Sequence, residues 1–189
     1  MSLSSATIGS VGAFPLCCYA ASPCGFAEST RFWYDYQLLP TLRRFYGEVI
    51  DPFRQDQSQD PELIAERNFR AIRERADLVV AVLDGSPPDE GTVIEVIWAA
   101  LWGVPVIAYR SDFRTSGELG LPYNLMVRGA VRISGGVEVT TFKELERAAR
   151  LFAQGAGQRP GYGRLERIAA RITSLTEGFA NCSRVSEFW

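Results

Sequence analysis

Five short, largely apolar runs divide the chain: "PLCCYAA" (15–21), "GEVIDPF" (47–53), "DLVVAVLDG" (77–85), "VPVIAYR" (104–110) and "GAVRIS" (129–134). Each reads as a strand, and longer helical stretches separate them at 27–46, 60–76, 92–102 and 141–153. Strands alternating with helices build a parallel sheet covered on both faces, and continuous apolar strands suit burial on both sides. The pattern therefore predicts an α/β fold, a doubly wound sandwich around a five-stranded, mainly parallel sheet.

Local chemistry sets several boundaries. Asp60 before Pro61 is an N-cap followed by proline at the first helical position. Gly103 and then Pro105 close the helix that Thr92 opens. Pro40 should kink the first helix. Residues 1–14 read as a flexible lead-in and 15–153 as the α/β domain. In 154–189 a Gly-rich hinge precedes an amphipathic helix near 164–178 and a polar tail, packing on the same domain or on a neighbouring subunit.

Composition narrows the class. The chain has 189 residues, 47% hydrophobic and 22% charged, with a formal net charge of −2. That length suits one domain, and the charge offers no footprint for nucleic acid or an anionic membrane. No apolar run approaches the roughly 18 residues of a membrane span. The N-terminus lacks the basic start and apolar centre of a signal peptide, so a cytoplasmic protein is expected. Cys17, Cys18, Cys24 and Cys182 match no zinc spacing and read as buried free thiols. The chain has no histidine. Catalysis by Ser-His or Cys-His pairs and His-ligated metals are excluded, and proton transfer would fall to Asp, Glu, Tyr, Lys or Cys.

In open α/β sheets ligands bind beyond the carboxyl ends of the strands. That rule brings Tyr19–Phe26, Asp51–Gln55, Asp84–Glu95 and Arg110–Asn124 towards one pocket. Among them "LDGSPPDEGTVIEVIW" (83–98) carries Asp84, Asp89, Glu90 and Glu95. Thr92 and Glu95 have the spacing of a capping box, in which the glutamate would bond back to the helix N-terminus. Yet Glu95 is the one polar side chain from Val93 to Trp102, in a helix apolar all round and so expected to be buried all round. A buried carboxylate needs a partner. Asn68 falls on the apolar stripe of Ile64 and Ile72, as a core amide or as a ligand contact. A buried carboxylate with a second acid nearby can displace a group at an anomeric carbon through an oxocarbenium-like transition state. The helix start should favour the ionised form of Glu95. A tyrosine from the first strand can orient it.

"CYAASPCGF", "VIDPF", "ADLVVAVLDG", "DEGTVIE", "GVPVIAYRSDFR" and "YNLM" occur in the order and spacing of the nucleoside 2-deoxyribosyltransferases. This resemblance covers about residues 16 to 150, with Asp-x-Gly-Thr-x-x-Glu its most specific part. It implies a flavodoxin-like fold and a ping-pong exchange of 2-deoxyribose between bases, without cofactor and without metal. The partners implied are deoxynucleosides and free nucleobases, with neither nucleic acid nor membrane. A homo-oligomer with a shared active site is also implied. Matched motif to motif, Glu95 resembles the nucleophile, Tyr19 the phenol that positions it and Asp89 the group that holds sugar hydroxyls. Asn124 and Met126 resemble the segment that completes the sugar pocket, often from a neighbouring subunit. Asn68 and Phe53 fall near the base, and Phe26, Asp51, Asp84 and Gly91 complete the expected substrate contacts. Asp51, Asp84 or water would protonate the leaving base.

Two departures stand out. "EVIWAA" replaces the usual x-Gly-Tyr-Ala after the nucleophile, and Ala21-Ser22-Pro23 replaces Ala-Gly-Pro in the first loop. An N-glycoside hydrolase of nucleosides or nucleoside monophosphates is the nearest alternative, although Asp89 and Glu90 would repel a phosphate beside them. A phosphoribohydrolase of the cytokinin-activating type ranks lower, because this chain places acids where that motif has glycines. A non-catalytic nucleoside sensor is the alternative from another class. A dinucleotide fold is disfavoured by the single glycine in "ASPCGF".

Overall fold

The computed structural model describes residues 16–55 and 60–156. The expected lead-in, the C-terminal helix near 164–178, the tail and Cys182 lie outside the described residues. β1 (Cys17–Ala21) leads into a helical arm of α1 (Glu28–Trp33), a π-turn (Tyr34–Leu38) and α2 (Leu39–Arg43). Then come β2 (Glu48–Ile50), α3 (Pro61–Glu74), β3 (Leu78–Val82), α4 (Glu90–Leu101) and β4 (Val106–Tyr109). The described chain closes with α5 (Leu125–Ile133), β5 (Val137–Val139) and α6 (Phe142–Ala156).

All four strand pairings are parallel, in the order β2-β1-β3-β4-β5. This is the flavodoxin-like order, and the expected α/β sandwich is what forms. Every residue of β1, β3 and β4 is buried. The strand period of two divides them between two cores. Tyr19, Ala21, Val79, Ala81 and Val106 face α3, α4 and α5, where they meet Ile72, Val96 and Val131. Cys18, Ala20, Val80, Val82 and Ile107 face the helical arm and α6, meeting Tyr34, Leu38, Leu42 and Leu145. Cys17, Cys18 and Cys24 are buried free thiols, and burial pushes Cys17 up to about 12.

Several boundaries follow their local chemistry. Asp60 caps α3 by accepting from the amides of Glu62 (2.9 Å) and Leu63 (3.4 Å). α4 ends in a Schellman turn. Gly103 takes φ 66°, its amide bonds to the Ala100 carbonyl, and Val104 bonds to that of Ala99. The kink expected at Pro40 takes the form of a π-turn. Proline brings no amide to the helix, and the Leu39 N–H bonds five residues back to the Tyr34 carbonyl.

Three expectations are corrected. "GAVRIS" (129–134) is not a strand but mostly the second half of α5. Val127, Ala130 and Val131 repeat at helical spacing on its buried face, and Asn124 caps it through the Met126 amide at 2.9 Å. The fifth strand forms just beyond, at Val137–Val139. The second strand is shorter than "GEVIDPF", because Asp51 caps a 3-10 turn that Pro52 opens. Finally, α4 is not buried all round: Ile94 and Leu101 are 52% and 57% exposed.

Candidate functional site

β1 carries Tyr19, wholly buried, towards the carboxyl end of the sheet. Its hydroxyl donates to Glu95 Oε1 at 2.5 Å, joining strand to helix across 76 positions of sequence. The capping-box reading of Glu95 does not hold. Asp89 is the N-cap of α4, and its Oδ2 accepts from the Thr92 amide (2.8 Å) and hydroxyl (2.9 Å). Thr92 therefore stands at N3, and Glu95 lies in the second turn. The helix dipole acts mainly over the first turn, so it does not dominate there. Burial does: it holds the Glu95 carboxyl up at about 7. The Tyr19 hydrogen bond pulls that value down, while the neighbouring Asp89 charge pushes it further up. The Tyr19 phenol is raised well above its usual range, first by burial and then by the charge of Glu95.

A second tyrosine–carboxylate pair stands nearby. Tyr34, at the head of the π-turn, donates its hydroxyl to Asp51 Oδ1 at 3.0 Å. Asp51 Oδ1 also accepts from the Phe53 amide at 3.0 Å, and Arg54 Nε lies 3.3 Å from Oδ2. The charge of Glu95 contributes to raising the Tyr34 phenol, after burial and Asp51, so the two pairs lie within electrostatic reach. Sequence reading missed Tyr34. Its only signals were an aromatic run at 32–36 and the proline six residues on. Phe53 packs edge-on against Tyr34 (5.8 Å) and Phe26 (4.9 Å). Gly25 makes that possible, since a Cβ there would lie 2.3 Å from the Phe53 ring.

Other expected site residues fare differently. Asp84 ties two loops together, accepting from the Ser111 amide (2.6 Å) and hydroxyl (2.7 Å) and from the Asp112 amide (2.8 Å). Buried Arg110, also missed, braces the same loops. It donates to the carbonyls of Leu83, of Gly85 (2.7 Å) and of Arg114 (2.7 Å). Asn124 spends its side chain on the Met126 amide and on Glu118 Oε1 at 2.9 Å, while Met126 is 69% exposed. Gly91 sits exposed in the first turn of α4, where a Cβ would lie 3.3 Å from Asp89 Oδ2. Asn68 is half-buried, and its Oδ1 is buried without a hydrogen-bond partner among the described residues, which disfavours a satisfied core amide. Trp98 packs inwards, its ring 4.8 Å from Phe69 and its Nε1–H donating to the Phe69 carbonyl at 2.9 Å. The bulk of Trp98 is thus spent against α3, beside Asn68.

A cleft of about 410 Å³ runs along β2, and Asp51–Gln55, one of the four segments expected beyond the strand ends, borders it. Among the described residues no group of acidic or thiol side chains is arranged to hold a metal ion, and no helix is long and apolar enough to cross a membrane.

Comparison with known proteins agrees with this architecture. A conserved protein from Enterococcus faecalis V583 is similar in structure with a TM-score of 0.61 at 22% identity, over 72% of this chain and 98% of its own. The 2-desoxiribosyltransferase from Leishmania mexicana gives 0.59 at 22% identity, over 74% and 98%. A CMP N-glycosidase from Clostridium botulinum gives 0.49 at 20% identity, over 76% and 99%. No curated protein matches the chain. The family profile described as nucleoside 2-deoxyribosyltransferase matches residues 18–126, from β1 to the head of α5. With more than half of its length matched in this way, the chain belongs to the nucleoside 2-deoxyribosyltransferase family.

Proposed function

We infer that this protein is a nucleoside 2-deoxyribosyltransferase of deoxynucleoside salvage, acting in the cytoplasm through a covalent deoxyribosyl-Glu95 intermediate. The observation that carries this reading is the part-buried 2.5 Å bond from the Tyr19 hydroxyl to Glu95 Oε1. It fixes one carboxylate oxygen and leaves Oε2 to attack. As Oε2 bonds to C1′ of the sugar, the bond from C1′ to the base nitrogen breaks, and the base departs with that electron pair. A nitrogen of the incoming base then attacks C1′ and gives up its proton to the hydroxide left when water protonated the departing base, the ester bond breaks, and the Glu95 carboxylate is restored. The deoxynucleoside and the free base are the substrates, and no cofactor enters either step.

Asp89 has the second role. Its Oδ2 is committed to Thr92, which leaves Oδ1 for a hydroxyl of the sugar. Phe53 and Phe26 offer a face to the base, and the unpartnered Oδ1 of Asn68 accepts from its amino or imino group. The leaving base takes its proton from water. Asp84 accepts from three loop donors, and Asp51 accepts from Tyr34 and Phe53 beside Arg54, so each carboxyl is spent on holding the fold. Asn124 and Met126 would serve the site of a neighbouring subunit. The exposed apolar residues Ile94 and Leu101 on α4 and Met126 and Ile133 on α5 suit that association.

Incubation with deoxyinosine and adenine tests the reading. Deoxyadenosine should form, and Glu95→Ala should abolish it. Release of hypoxanthine at an unchanged rate without acceptor, and with no exchanged nucleoside, would make the protein a hydrolase. Binding of deoxynucleosides without turnover would make it a sensor.

A further inference from the structure

The helical arm holds a second buried tyrosine to which the exchange chemistry assigns no step. Tyr34 packs on the face of the sheet opposite Tyr19, in the core of Leu38, Leu42 and Leu145. It opens the π-turn, and such turns recur at functional sites. Its hydroxyl stands at the carboxyl ends of two neighbouring strands. Asp51 Oδ1, just past β2, is 3.0 Å away, and the Ala20 carbonyl of β1 is 3.5 Å away. Ala20 follows Tyr19, the residue that holds Glu95. The charge of Glu95 reaches Tyr34, and the Tyr34 phenol acts in turn on that of Tyr19.

Tyr34 holds Phe53 by two routes. One runs through Asp51, whose Oδ1 accepts both the Tyr34 hydroxyl and the Phe53 amide, each at 3.0 Å. The other is direct, the two rings lying 5.8 Å apart and nearly perpendicular at 89°. Arg54 fastens the same turn to the arm, 2.8 Å from Asp35 and 3.3 Å from Asp51 Oδ2. On its other side Phe53 meets the Phe26 ring at 4.9 Å and the bare backbone of Gly25. Phe26 is 77% exposed, Phe53 is half-buried and Tyr34 is 1% exposed. The aromatic row therefore opens to solvent at Phe26 and is anchored inside the fold at Tyr34.

We propose that Tyr34 is a positioning residue for the base subsite, fixing Phe53 through Asp51 and through its own ring so that Phe53 stacks on the base. This role rests on the reading of the site given above, in which Phe53 and Phe26 face the base. A ring carried on a three-residue turn needs such support, because loops hold a geometry less well than strands or helices. Tyr34 is itself buried away from the base and acts only through Phe53.

Exchange kinetics with deoxyinosine and varied adenine test it. Tyr34→Phe keeps the ring and deletes the bond to Asp51. It should raise KM for adenine by about three- to tenfold, the worth of one hydrogen bond, and leave kcat and the pH midpoint near 7 unchanged. Phe53→Leu should raise the same KM. Tyr34→Phe/Phe53→Leu should be no worse than Phe53→Leu alone, because the hydroxyl acts through that ring. Tyr46→Phe is the control. It removes a buried hydroxyl of the same core, bonded to the Ala149 carbonyl at 2.8 Å, and should leave KM unchanged. Effects of the two substitutions that multiply, an adenine KM unaltered by Tyr34→Phe, a moved pH midpoint or an equal rise in the control would each overturn the proposal. Calorimetric titration with adenine repeats the comparison without turnover. Adenine affinities that follow the expected pattern in a protein that exchanges no base would refute only the transferase reading. Exchange with the pattern absent would refute only the role of Tyr34, and a wild type that neither binds adenine nor exchanges bases would refute both.

Discussion

Replacing Glu95 with glutamine separates what burial does to the carboxylate from what the carboxylate does to the substrate. In the folded protein the carboxyl rises from 4.5 to about 7. At about 1.36 kcal/mol for each pH unit, this penalises the ionised form by about 3 kcal/mol. The folded-state value lies above the unfolded one, so the group's contribution to stability is complete below 4.5 and is lost as pH rises through about 7. Glutamine has nearly the shape of the protonated acid and can still accept from Tyr19, but it never ionises. Urea unfolding at about pH 5 should therefore find the wild type and Glu95→Gln close in stability. At about pH 8 the variant should be the more stable by about 2–3 kcal/mol. In the exchange assay the same variant should be inactive, while wild-type kcat/KM should rise with pH to a plateau, with a midpoint near 7. An equal stability difference at both pH values would refute the burial argument. Exchange by the glutamine variant would refute the nucleophile.

Tyr19→Phe removes the hydrogen bond that holds the Glu95 value down. A bond to a charged group is worth about 1.5–3 kcal/mol. The midpoint of the pH profile should therefore climb by about one unit or more, with activity at pH 7 falling at least about fivefold; an unmoved midpoint counts against the pairing. Asp89→Ala deletes the cap on Thr92 and should lower stability by about 0.5–2 kcal/mol in urea. Asp89→Asn should keep most of that stability yet raise KM for the deoxynucleoside, and loss of both together would leave Asp89 a cap and nothing more. Gly25→Ala drives a methyl against the Phe53 ring. It should cost about 1–3 kcal/mol in the same unfolding assay and weaken substrate binding as Phe53 is displaced.

Local sequence was enough for elements whose cause is local. Asp60-Pro61 starts α3, Gly103 ends α4, and the unbroken apolar runs of β1, β3 and β4 require a sheet covered on both faces. The ordered motifs from "CYAASPCGF" to "YNLM" were enough for the family. Where two local patterns competed, sequence alone could not arbitrate. "GAVRIS" has the composition of a strand, but its apolar positions pack at helical spacing once Asn124 starts α5. Thr92 and Glu95 have the spacing of a capping box, but Asp89, three residues before Thr92, takes the cap. Tertiary structure decided the rest, because distance and burial are properties of the packed chain. Tyr19 meets Glu95 across 76 positions, Tyr34 meets Asp51 across 17, and Asp84 is drawn into the loop that Arg110 braces. Only that packing removes water from Glu95 and raises its carboxyl to about 7.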